Sequence, residues 1–173
     1  MFENFKKKLK RNRLAKRTTR ASRELSFQNF QTARSCLLFC IDGERQAGEI
    51  ERLRDMLSGK TRVEILILEG DAGHPATGTI EGAVRASDKD ISLSGKFVNA
   101  RLHEMMHFSH DLLVDLSRGA CSVGDYLLAS SAAKCKIGME RDGFQCDIVF
   151  EGIKEVDELQ GRLNELLEKI KTH

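Results

Sequence analysis

From Ser35 onward the chain alternates continuous apolar runs with stretches in which apolar residues recur every three or four positions. Runs of the first kind predict strands buried on both faces, and stretches of the second kind predict helices with one apolar side. Their alternation predicts βα units around a largely parallel sheet. The first run, Cys36-Leu-Leu-Phe-Cys-Ile41, is closed by the turn-forming pair Asp42-Gly43. Ile50, Leu53, Met56 and Leu57 then recur at helical spacing, and Ser58-Gly59 offers a C-terminal cap. Val63 to Leu68 is the second strand, and it runs into Glu69-Gly-Asp-Ala-Gly-His-Pro75, whose glycines and only proline predict a loop.

Between Thr79 and Gly95 the pattern weakens to short extended pieces near Ala83 to Arg85 and Ile91 to Leu93. Phe97 to Phe108 predicts a helix, and Asp111-Leu-Leu-Val-Asp-Leu116 a strand directly behind it. Ser122 is placed to cap a helix carrying Val123, Tyr126, Leu127 and Leu128, after which Lys134 to Ile137 and Cys146 to Phe150 predict two further strands. The final helix is the clearest: Val156, Leu159, Leu163, Leu166, Leu167 and Ile170 share one face, with Glu and Lys on its back. There is no internal repeat.

A length of 173 residues suits one core, and 40% hydrophobic with 31% charged residues excludes a disordered chain. No run approaches the ~18 to 20 apolar residues that span a bilayer, and the N-terminus lacks a signal peptide's apolar stretch and cleavage site. A cytoplasmic protein is the expectation. Cys36, Cys40, Cys121, Cys135 and Cys146 are odd in number, lie mostly in apolar runs and include no CxxC, which predicts reduced thiols packed as small core residues. Cys36 and Cys40 fall on the same face of the first strand.

The net charge of +2 conceals an asymmetry: residues 1 to 24 carry a local balance of +8 and the remainder −6. Lys6, Lys7, Lys8, Lys10, Arg11, Arg13, Lys16, Arg17, Arg20 and Arg23 make up the basic segment. Such a cluster attracts polyanions, because cations that neutralise phosphates release condensed counterions. RNA, including ribosomal RNA, is the expected partner. Phe2, Phe5 and Leu9 would form a short apolar stripe on a helix, which suits an anionic membrane surface, but Asn12, Arg13 and Lys16 end it after about two turns. A solvated tail, or a helix docked on the acidic body of the same chain, is the plainer alternative.

Two constellations could carry chemistry. His103-Glu-Met-Met-His107 matches HExxH, in which two histidines one turn apart hold zinc and the glutamate activates water. A third ligand is needed, and His110, i+7 from His103, lies about 10 Å along a continuous helix. No metal is therefore assigned, with His103 and His107 the pair to watch. In an open parallel sheet a ligand binds outside the carboxyl ends of the strands, which makes Asp42, Gly43, Asp71, Ser117, Arg118 and Gly119 the candidate ligand site. Carboxylates there suit Mg²⁺ and Arg118 suits phosphate, although Asp and Gly after strands are also ordinary turn residues. No GxGxxG, GxxxxGK[ST] or GxSxG pattern is present, so no cofactor is implied and a binding or adaptor module is preferred to an enzyme.

The lysine-rich start, the strand Cys36 to Ile41, Phe108-Ser-His-Asp-Leu-Leu-Val-Asp-Leu-Ser117 and Ala133-Lys-Cys-Lys-Ile-Gly138 together resemble an uncharacterised bacterial family of conserved hypothetical proteins from Bacteroidetes. That family tends to have no histidine pair where His103 and His107 stand, which weighs against zinc. Asp111 to Gly138 is also similar to the N-terminal halves of heptosyltransferase-type glycosyltransferases, which implies a Rossmann-like fold and not the activity. The expected architecture is a three-layer Rossmann-like or flavodoxin-like α/β domain at 35–173. Its mostly parallel sheet would have about five to six strands, preceded by a basic helical arm at 1–34.

Overall fold

The computed structural model describes residues 2–16, 22–29, 31–69, 77–144 and 146–170. In chain order the elements are α1 (Phe2–Lys16), β1 (Ser35–Ile41), α2 (Ala47–Ser58), β2 (Arg62–Leu68) and β3 (Val84–Ala86). There follow α3 (Ala100–His107), β4 (Leu112–Asp115), α4 (Ser122–Ser130), β5 (Cys135–Met139), β6 (Ile148–Phe150) and α5 (Val156–Lys169).

All seven residues of β1 are buried, as a continuous apolar run at the centre of a sheet requires. It pairs in parallel with β2 on one edge, Leu38 opposite Ile65, and with β4 on the other, Leu38 opposite Val114. The six strands run in the order β3-β2-β1-β4-β5-β6, and every pairing between them is parallel. This is the Rossmann order rather than the flavodoxin order, and it reverses direction between β1 and β4.

Period-two alternation sorts β1 between two cores. Cys36, Leu38 and Cys40 point to a layer built by α2 and α5, with Ile50, Leu53 and Leu57 meeting Leu159, Leu163 and Leu167 around them. Leu37, Phe39 and Ile41 point to the opposite layer, where Leu102 and Met106 of α3 and Leu127 and Leu128 of α4 cover them. Leu14 of α1 joins this second core and is fully buried. All five cysteines are free thiols, and burial pushes Cys40 and Cys135 up to about 12, which keeps them protonated and inert at neutral pH.

Two boundaries depart from the periodicity, and a third holds with an unexpected geometry. The helix expected from Phe97 begins at Ala100, because Asn99 accepts hydrogen bonds from the Arg101 and Leu102 amides, while Phe97 forms an antiparallel bridge with Ile91. Ser122 is the first residue of α4 rather than its cap; Cys121 stands in that position, and its side chain makes no capping bond. Gly59 does close α2, yet with a φ of −61°, so the left-handed freedom of glycine is not used there.

Gly138 is the glycine the packing demands. It lies opposite Asp115 in the β4–β5 register, and a Cβ there would stand 2.9 Å from Cys146 Sγ and 3.3 Å from Asp115 Cβ. Gly138→Ala is expected to lower stability by about 1–3 kcal/mol through overpacking. The measurement is the urea midpoint, and an unchanged midpoint would show that Cys146 moves aside freely.

Candidate functional site

The basic arm is anchored at two points. Leu14 docks α1 against the α4 layer, and the Lys10 ammonium donates to the Asp88 carbonyl. Past the helix, Arg23 donates to the Ala133 carbonyl at 3.0 Å and grips Asp147 at 2.5 and 2.6 Å, both side chains being nearly buried. Arg23 is therefore spent on an internal ion pair, unlike the exposed cation that its place in a lysine-rich segment suggests. Lys8, Arg13 and Lys16 are exposed, and Arg11 is half-buried. Leu9, the one member of the Phe2–Phe5–Leu9 stripe whose side chain is described, is 37% exposed. The side chains of Phe2, Phe5, Lys6 and Lys7 lie outside the described residues, as do Arg17 and Arg20.

The strand-end candidates separate into two groups. Asp42 and Gly43 turn toward the β2–β3 side: the Thr77 amide and Arg85 Nη1 donate to Asp42 at 2.7 and 3.1 Å, and the Gly43 amide donates to Thr77 Oγ1 at 2.9 Å. Burial alone would raise the Asp42 carboxyl, but Thr77 and Arg85 outweigh it and hold it below its ordinary value. Asp71 lies outside the described residues.

Ser117, Arg118 and Gly119 meet the β1 loop instead, through two residues that periodicity did not single out. The Arg118 amide donates to Glu44 Oε2 at 2.6 Å, and Glu44 Oε1 would stand 3.5 Å from a Cβ added at Gly119. Arg45 is 1% exposed; its Nε donates to the Leu116 carbonyl at 2.9 Å and its Nη1 to the Lys154 carbonyl at 3.2 Å. Ser117 and Arg118 line a cavity of about 280 Å³ with Arg45, Met139, Ile153 and Glu155. Beside it, Arg141 binds Asp115 at 3.0 Å and Asp125 at 2.9 Å, with Asp115 and Arg141 both 2% exposed. Burial is the largest influence on Asp115 and lifts its carboxyl above the ordinary value against the pull of Arg141. Arg45 and Arg141 each appear in the sequence as a lone arginine beside a glutamate or aspartate, the usual look of a solvated loop.

A family model described as a family of unknown function matches residues 3–170. The chain belongs to that family, DUF6913. No curated protein and no solved structure matches it. The DUF6913 match runs from within α1 to the end of α5, so the basic helix falls within the family's extent together with the sheet.

The HExxH pair of this DUF6913 chain is exposed on α3. The His103 and His107 rings stack with centroids 4.1 Å apart, Phe97 packs edge-on against both, and Glu104 is taken up by Arg101 at 2.9 Å. Among the described residues no group of three or more His, Cys, Asp or Glu side chains is placed to hold a metal ion. His110 points away into the protein, fully buried, with Nε2 2.9 Å from Glu64 Oε2.

That contact generates a pH dependence. A carboxylate partner puts the ring proton on Nε2, which leaves the buried Nδ1 with no hydrogen-bond partner. Burial pulls the His110 pKa below its ordinary value, more than Glu64 raises it. Burial pushes Glu64 up, but His110, Arg62 and Arg101 outweigh it and hold its carboxyl low. Both shifts mean that the folded chain binds fewer protons than the unfolded one, so stability is present above the unfolded values and lost as pH falls. The urea midpoint should therefore drop as pH is lowered through ~6.5, and a His110→Gln variant should lose that upper limb. A midpoint flat across that range would show that His110 titrates as in water.

Proposed function

We propose that the chain is a cytoplasmic, non-enzymatic binding module that contacts RNA backbone through the outward face of α1. The observation that carries the reading is the combination of a buried Leu14 with exposed Lys8, Arg13 and Lys16 on the same helix. A helix held by one apolar residue keeps its cations at fixed spacing, so binding a polyanion costs less ordering than it would for a free tail. Ribosomal or other structured RNA is the polyanion proposed, and a bacterial source among Bacteroidetes is part of the same reading. The heptosyltransferase-like segment Asp111 to Gly138 coincides with β4, α4 and the start of β5, and only the fold is carried over from it. No helix among the described residues is long and apolar enough to cross a membrane.

A second reading, peripheral attachment to an anionic membrane, is favoured by the exposure of Leu9 beside those same cations. Both are tested with the full chain and a triple variant, Lys8→Glu, Arg13→Glu and Lys16→Glu, whose positions are exposed and leave the core intact. Binding to labelled structured RNA should weaken steeply with salt, and the variant's log–log salt slope should be shallower by about 2. Salt-insensitive binding, or equal binding by the variant, sinks the RNA reading. Binding to anionic vesicles that Leu9→Ala abolishes, with none to RNA, replaces it with the membrane one.

A further inference from the structure

The cavity beside Ser117 holds a buried cation whose described partners include no carboxylate. Arg45 is buried, and its guanidinium meets two carbonyls and, at 3.6 Å, the Met139 thioether, a weak acceptor. No described carboxylate comes within ion-pair distance of it. The contrast with Arg141, equally buried but bound by Asp115 and Asp125, shows what this fold does with a cation whose partner is internal. The second polar group, Ser117, is 1% exposed, and its Oγ makes no hydrogen bond of good geometry, although it lies close enough to Asp115 to help draw that carboxyl down. Glu44, Glu49 and Glu155 act on the Arg45 guanidinium only from beyond ion-pair distance, and a buried cation in that position is costly unless something completes it.

Two further donors reach the cavity. Arg118 is about half exposed, and its guanidinium lies 3.5 Å from the Glu155 carboxylate, itself exposed. Glu155 is also the N-cap residue of α5 and makes no side-chain cap, so the first-turn amides of a fourteen-residue helix open here without one. Carboxylates are present too: Glu140 and Glu155 line the cavity, opposed by Arg45, Arg118 and Lys154. The site lies at the carboxyl ends of β4 and β5, next to the β1–β4 reversal at which open α/β sheets bind ligands. Glu44, bound to the Arg118 amide, occupies the crevice at the reversal itself, which leaves the space on the β5 side.

We propose that Arg45, Ser117 and Arg118 form a binding site for a small phosphate-bearing ligand at the N-terminus of α5. A tetrahedral oxyanion accepts from donors that converge from separate elements, and here they come from the β1 loop, the β4 loop and a helix end. A volume of about 280 Å³ is ample for a phosphate group. Glu155 is the internal competitor: it sits on Arg118 until the ligand displaces it. This site is independent of the α1 surface.

The test titrates the isotope-labelled full chain with inorganic phosphate, using chloride at matched ionic strength as control, and follows backbone amide resonances. Phosphate-specific shifts are expected at residues 43–45, 117–119 and 153–156. Ser117→Ala and Arg118→Gln should each weaken binding about tenfold. Glu155→Gln should strengthen it by removing the competitor. Glycerol phosphate distinguishes the two sources of the chemistry, since tighter binding than phosphate marks an organic ester and equal binding marks the free ion. The proposal is overturned if phosphate moves these amides no more than chloride does, if shifts are confined to α1, or if neither Ser117→Ala nor Arg118→Gln weakens binding.

Discussion

The structure depends on β1 being buried on both faces and paired on both edges. A strand so placed satisfies its backbone only within a sheet that continues on either side, and its side chains only if helices cover both faces. Parallel pairing then dictates the connections, because each return to the same end of the sheet needs a crossover. With α2 and α5 on one face, the other is left to α3 and α4, which are eight and nine residues long. Those two short helices explain why α1 is recruited: Leu14 adds a fully buried side chain to the layer that they build.

The same architecture decides where charge is tolerated. Strand interiors are apolar, so buried ionic groups collect at the sheet ends. There each must be neutralised internally or left for a ligand. Asp111 ties the Arg34 and Ser35 amides to Lys134 at the amino ends, with 2.8 Å to each of Arg34 N and Lys134 Nζ. Lys136, fully buried, points its ammonium at the Leu128 carbonyl at 2.6 Å, near the C-terminus of α4 where a cation is favoured. Arg141 serves Asp115 and Asp125 at the carboxyl ends. Arg45, held by the Leu116 and Lys154 carbonyls, lies instead where the topology provides a cleft.

The layers were legible in the sequence because burial imposes periods. Continuous apolar runs marked β1, β2 and β4, and the i, i+3, i+7 spacing from Val156 marked α5. The region from Thr79 to Gly95 was faint because its one strand has three residues at the sheet edge and so little apolar pattern to show. The candidate site was half legible. Ser117 and Arg118 follow from knowing that ligands gather after parallel strands, but Arg45 sits in Gly43-Glu-Arg-Gln46, a string that reads as solvated turn. Only tertiary closure, with the Leu116 and Lys154 carbonyls folding over its guanidinium, makes that arginine a buried cation. Leu14 was hidden for a related reason: a single leucine among Arg, Asn and Ala has no period.

How the arm docks bears on what its charge is for. Were the +8 segment present to neutralise the −6 body, its cations would be expected in ion pairs with body carboxylates, and exposed pairs of that kind contribute little. The helix is held in part by Leu14, whose burial stabilises by roughly 1.5–3 kcal/mol, and the Lys10 ammonium donates to the Asp88 carbonyl while helping to hold the Asp90 carboxyl low. Arg23 does make a nearly buried pair, but it lies beyond the helix and fixes the connecting strand of chain against Asp147. Lys8, Arg13 and Lys16 are left on the open side. Docking through Leu14 thus leaves these three cations facing outward on α1.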